Sequence, residues 1–191
     1  MTLILGKKKD GKFYLGADSL ATFSDCKQNI YDKEEYKIRK IGDLIIGGSG
    51  HVSVIKRICL EDELFTLPKS GLTKELVAEV FVPAILKIVK DEDLADELNP
   101  DELNIGCSFA FAWKDKCIIL RSNLLVWEVA DRFAMGSGTD YAFPVMYTED
   151  FENVNESLLK ALRAGSNLCT SVGAPYILID TEKQQYEIVE K

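Results

Sequence analysis

The order in which strand-like and helix-like stretches follow one another is the tightest constraint on what this chain can fold into. Residues 2–6 are apolar and β-prone, and a Lys-rich turn through Asp10-Gly11 leads into Lys12-Phe13-Tyr14-Leu15-Gly16-Ala17, so the chain opens with a hairpin. Residues 22–35 are polar and read as irregular. Tyr36-Lys37-Ile38-Arg39-Lys40-Ile41 alternates as a strand, turns at Gly42-Asp43, and continues as the buried-type strand Leu44-Ile45-Ile46, which ends in Gly47-Gly48-Ser49-Gly50. Helical spacing of Val52, Ile55, Ile58 and Cys59 predicts a helix over about 51–65. A second, over about 73–91, has Thr73 as its cap and Pro83 as a kink or break.

Strands return at Ser108–Trp113, Cys117–Arg121, Leu124–Glu128 and Phe133–Met135. A short helix begins near Thr139, a longer one spans about 155–169, and Tyr176–Asp180 with Tyr186–Val189 closes the chain as a hairpin. The acidic stretch Asp91–Glu102 reads as a solvated connection. The sum is four strands, two helices, four strands, two helices and two strands, with no repeat and no linker. Two antiparallel sheets, each covered by helices, satisfy that order as one α+β domain over 1–191.

Composition narrows the chemistry. The 191 residues are 47% hydrophobic and can bury a core without disulfides or metals. A net charge of -8 argues against a nucleic-acid or anionic-membrane surface. No apolar run is long enough for a membrane span, and the start is wrong for a signal peptide. Five cysteines without metal-type spacing point to reduced thiols and a cytoplasmic protein. His51 is the only histidine, so histidine-based triads and multi-histidine metal sites lose their support, and no cofactor is expected. Any base must be of another kind.

Thr2 offers one. A threonine hydroxyl needs a base to take its proton, and removal of Met1 would expose the α-amino group of Thr2 itself, whose ordinary pKa of about 7.7–8.0 suits that role. Taken alone, Thr2 reads as merely the start of a strand, where β-branched residues are common. Lys37 beside it would favour the alkoxide, and Asp18, at a strand end, would hold that lysine charged; in isolation both read as surface charges. The amides of the 47–50 segment could receive an oxyanion, or the segment could be only a tight strand-to-helix turn; no lysine follows to make it a phosphate loop. Ser137, in Gly136-Ser137-Gly138, could relay a proton or cap the helix at Thr139.

Together these residues resemble the proteasome β-subunit type of N-terminal-threonine (Ntn) hydrolases, above all the simpler bacterial proteasome-like peptidases that work with an unfoldase ring. Thr2 falls at the nucleophile, Asp18 in Leu15-Gly16-Ala17-Asp18-Ser19 at the family's aspartate, and Lys37 in Lys37-Ile38-Arg39-Lys40-Ile41 at its lysine. Gly47 matches the oxyanion amide and Ser137 the serine near the nucleophile. Asn167–Gly173 departs from the Arg-Asp and Ser-Gly-Gly pattern of many members, and the stretch between Asp18 and Lys37 is longer than in the bacterial enzyme. The resemblance implies a four-layer αββα sandwich, a peptide or small amide substrate and a homo-oligomeric ring. An unfoldase partner is not readable. A catalytically inactive subunit of the same fold, serving assembly or binding, is the alternative.

Overall fold

The computed structural model describes residues 2–23, 26–91, 104–148 and 152–190. In chain order the strands are β1 (Leu3–Lys9), β2 (Lys12–Asp18), β3 (Leu20–Phe23), β4 (Cys26–Asn29), β5 (Ile38–Ile41) and β6 (Leu44–Gly50), followed by β7 (Cys107–Trp113), β8 (Lys116–Leu120), β9 (Val126–Glu128), β10 (Arg132–Gly136), β11 (Tyr176–Asp180) and β12 (Glu187–Val189). Helices are α1 (Val52–Leu60), α2 (Lys74–Leu76), α3 (Val82–Asp91), α4 (Thr139–Thr148) and α5 (Val154–Leu168). One sheet has the order β10-β1-β2-β11-β12 and the other β5-β6-β7-β8-β9, both antiparallel throughout.

Side-chain alternation along each central strand divides the interior into three apolar layers. In β1, Leu3 and Leu5 pack with Ala142, Met146, Leu158 and Leu162 of α4 and α5, while Ile4 points the other way, toward the second sheet. In β6, Leu44 and Ile46 join Val54, Ile58, Ile85 and Val89 of α1 and α3, while Ile45 faces inward. Phe109 and Phe111 of β7 follow the helix-facing set, and Ala110 and Ala112 the inner one. Helices, sheet, sheet, helices: the result is the four-layer αββα sandwich.

The structure departs from the sequence reading in three places. Within the stretch 22–35, read as irregular, residues 22–23 and 26–29 belong to the paired strands β3 and β4, with Leu20 opposite Asn29 through Phe23 opposite Cys26. Lys27, Gln28 and Asn29 carry little intrinsic β preference, so their pairing, not their pattern, makes them a strand. The helix expected over 51–65 ends at Leu60, and a separate 3-10 turn covers Asp62–Phe65. Thr73 does cap its helix, accepting the Leu76 N–H at 3.1 Å. Pro83 is accommodated without a break: residues 77–81 widen into a π turn in which the Val82 N–H reaches the Val77 carbonyl, five residues back. The acidic stretch over 92–102 lies outside the described residues.

Ile4 fills the space between the sheets and lies 3.3 Å from where a side chain on Gly47 would begin. Ile4→Ala should lower unfolding free energy by about 2–5 kcal/mol. Urea unfolding monitored by circular dichroism measures it, and a loss below about 1 kcal/mol would contradict the inter-sheet placement.

Candidate active site

Thr2 enters the first sheet one residue ahead of β1 and is only 6% exposed. Its carbonyl is held from β10 and the turn after it: Ser137 donates its backbone N–H at 2.8 Å and its hydroxyl lies at 3.3 Å. That approach depends on Gly136. It has φ +102°, and a Cβ there would collide with the Thr2 carbonyl.

Asp18, at the end of β2, is completely buried. Its Oδ1 accepts from the Leu3 N–H and from Lys37 Nζ, both at 2.8 Å; its Oδ2 accepts from the N–H groups of Leu20 and Gly173, both at 3.2 Å. Lys37 also donates to the Leu20 carbonyl at 2.8 Å. Burial pushes the Asp18 carboxyl up and the Lys37 ammonium down, and their mutual attraction opposes both shifts. The lysine is thereby oriented by two acceptors.

Ser137 continues into residues that the sequence reading did not single out. Its hydroxyl lies 3.2 Å from that of Ser171, which is 2% exposed, and Ser171 in turn lies 3.1 Å from Cys169 Sγ. Burial raises the Cys169 thiol, but hydrogen bonding by Ser171 outweighs it and leaves the pKa lowered. Thr170-Ser171-Val172-Gly173 was visible as small and polar residues before the last hairpin, yet nothing in its spacing pointed to Ser137, more than thirty residues away.

A cleft of about 530 Å³ opens in front of Thr2. Its walls come from Ala21 and Gln28 of the β3–β4 hairpin, from Ile30–Asp32 and Glu35–Lys37, from Gly48 and Gly50, and from Val52, Ile55 and Lys56 of α1. Gly47 needs a correction. It pairs with Ile38 and Ala110, and the next amide, that of Gly48, donates to the Lys37 carbonyl at 3.0 Å. The Gly48 N–H is thus engaged within the sheet, while Gly50, past the end of β5, lines the cleft. Gly47 leaves room for Ile4. The structure brings Thr2, Asp18, Lys37 and Ser137 together, and Gly47 is paired inside the sheet, outside the cleft lining. Among the described residues no group of histidine, cysteine, aspartate and glutamate could hold a metal ion.

The fold is of the proteasome-type Ntn kind. No protein-family profile matches the chain, and no curated protein does. Solved structures do. The Thiobacillus denitrificans protein BPH, in complex with epoxomicin, superposes with a TM-score of 0.72 at 19% identity over 99% of this chain and 100% of that one. The helical assembly of the Anbu complex from Pseudomonas aeruginosa gives 0.70 at 14% identity, covering 99% and 87%. The eukaryotic HslV from Trypanosoma brucei gives 0.62 at 17% identity, covering 93% and 98%.

Two substitutions probe the cradle. Gly136→Ala meets both the left-handed backbone and the Thr2 carbonyl, whereas Gly42→Ala, at φ +56° with nothing within 4 Å, meets only the first. Both should destabilise by about 1 kcal/mol from backbone strain, with Gly136→Ala losing about 1–3 kcal/mol more from the clash. Equal losses in chemical denaturation would contradict the close approach. Asp18→Ala, which removes the buried counter-charge of Lys37 and the acceptor of three backbone N–H groups, should cost about 3–5 kcal/mol.

Proposed function

We propose that the chain is a threonine-type amide hydrolase, a peptidase, with Thr2 as nucleophile after removal of Met1. One observation carries the reading: a single buried carboxylate, Asp18, holds both the backbone next to Thr2 and the ammonium of Lys37, and Thr2 and Lys37 line one cleft.

In the proposed reaction the Thr2 hydroxyl oxygen attacks the substrate carbonyl while its proton passes to the Thr2 α-amine. Negative charge collects on the former carbonyl oxygen, where an amide N–H at the end of β6 would stabilise it; Gly50, which lines the cleft, is the candidate, since the Gly48 N–H is given to the Lys37 carbonyl. Collapse breaks the C–N bond, and the leaving amine takes the proton from the α-ammonium. Water, deprotonated by the same amine, then cleaves the ester and restores Thr2. The Lys37 charge favours the alkoxide and the neutral amine, and Ser137 and Ser171 provide hydroxyls beside Thr2 for proton movement.

The epoxomicin complex of BPH supports a matching test on this chain. The helical Anbu assembly supports a homo-oligomer here, which we propose as a ring of this chain; among the described residues no helix is long and apolar enough to cross a membrane. The free thiols of Cys107, Cys117 and Cys169 fit a reducing, cytoplasmic setting.

Intact mass before and after incubation with a peptide epoxyketone, which needs both the hydroxyl and the free amine, should show loss of Met1 and one adduct. Thr2→Ala should remove the adduct and lower peptide hydrolysis on the order of 10³-fold or more. Retained Met1 with no adduct and no hydrolysis would make the chain a non-catalytic subunit. The pH profile has a definite sign. The amine acts only when neutral, so kcat/KM is present above its pKa and lost as pH falls through it. With Lys37 disfavouring a second positive charge, the acid limb should lie below the ordinary range of about 7.7–8.0. A midpoint above that range would contradict the role given to Lys37.

A further inference from the structure

We propose that the ion pair between Glu35 and Lys56 determines which substrates this cleft accepts: it shuts out charged residues and leaves an apolar, uncharged side chain as the group seated beside Thr2. The inference rests on the hydrolase reading above and deepens it to a substrate class.

Lys56 projects from α1 and Glu35 from the 3-10 turn at Lys33–Glu35, and Nζ and Oε2 meet at 2.6 Å, joining two walls of the cleft. Around them the walls are apolar. Ile55 lies against the backbone of Gly48, where an added Cβ would come within 2.7 Å of its Cγ2. Val52 and Tyr31, both lining residues, are 52% and 59% exposed, so large apolar groups stand open at this cleft.

The charges of the lining are matched internally. Lys37 is turned toward Asp18 and the Leu20 carbonyl. The remaining four, Asp32, Glu35, Arg39 and Lys56, cancel in formal charge. The Asp32 carboxylate accepts the Glu34 N–H at 3.0 Å, and the Arg39 Nε donates to the Tyr36 carbonyl at 3.2 Å. A charged substrate residue would lose hydration on entering and find Glu35 and Lys56 engaged with each other and Asp32 and Arg39 each holding a main-chain group, whereas an apolar one gains from burial. Both members of the Glu35–Lys56 pair are more than a third exposed, so its contribution to stability is small and its partners can be removed without unfolding the protein. Its effect is on discrimination.

Removing one partner unmasks the other, which gives the test its sign. Peptides differing only at the residue whose carbonyl is attacked (Leu, Phe, Lys or Glu) are supplied to the mature full-length protein and to Lys56→Ala and Glu35→Ala. Binding of the same peptides to the Thr2→Ala protein, with and without each second substitution, is followed by fluorescence anisotropy. The unaltered cleft should favour Leu and Phe over Lys and Glu. Lys56→Ala should raise preference for Lys over Glu by about tenfold, and Glu35→Ala should raise preference for Glu over Lys by a similar factor. A loss of packing alone would move both variants in the same direction. The proposal is overturned if the unaltered cleft prefers a charged residue, or if the two variants shift alike or not at all. Ranked binding to Thr2→Ala without hydrolysis by the parent sinks the hydrolase reading and leaves the cleft preference standing. Hydrolysis without the ranking does the reverse, and absence of both binding and hydrolysis overturns the two together.

Discussion

A carboxylate buried without access to water organises this molecule. Removing Asp18 from solvent costs several kcal/mol unless its oxygens are fully engaged, and they are, by three backbone amides and one ammonium. Those four donors come from four places: the first residue of β1, the start of β3, the loop before β11, and the residue that leads into β5. β1, β2 and β11 belong to one sheet and β5 to the other. At the other end of β2 the Phe13 N–H reaches the Lys114 carbonyl, in the β7–β8 turn of the second sheet, at 3.1 Å, and between these ties the sheets meet through apolar contact, which is tolerant of small sliding. A hydrogen-bonded charge is not tolerant in that way, so Asp18 fixes the offset between the sheets at the end where Thr2 sits.

Thr2 is consequently positioned almost entirely by main chain. Leu3 is tied to Asp18, the Thr2 carbonyl is tied to Ser137, and Gly136 permits the approach that makes the second tie possible. Side chains near Thr2 are then free to specialise. Lys37 brings a charge to the cleft wall, and the Ser137–Ser171–Cys169 series forms a chain of polar contacts behind the Thr2 carbonyl. Ser171 is itself buried and lies two residues before Gly173, whose amide holds Asp18, so this series is tied to the packing as well.

Most of the layering was legible in the sequence because period-2 alternation survives in the central strands. Leu3-Ile4-Leu5 and Leu44-Ile45-Ile46 look like uniform apolar runs, and uniformity is what a strand covered on both faces requires. The β3–β4 hairpin was not legible, because it belongs to neither large sheet and so bears no burial pattern. The pairing of Asp18 with Lys37 was legible, since a carboxylate at the end of a buried strand calls for a cation. Phase was not legible. Gly47, Gly48 and Gly50 are indistinguishable as letters, and only the ladder shows that the Gly48 amide is given to the Lys37 carbonyl. Ser171 was hidden for a different reason: its partner is distant in sequence.

Identity of 12–19% to solved structures of the same fold is what these constraints predict. Layers built from alternating aliphatic residues accept almost any aliphatic substitution that preserves volume and phase. Asp18 accepts none, since a shorter or neutral side chain would leave buried donors unpaired. Between those extremes lies the wall of the cleft. Leu20 and Tyr36 are buried, but the exposed wall positions between them, Gln28, Asn29, Tyr31 and Asp32, reach the cleft without carrying the core, so they can change with little effect on stability. Differences between this cleft and those of its structural neighbours should accordingly be sought at those positions and at Lys56, and not in the sheets that make the folds alike.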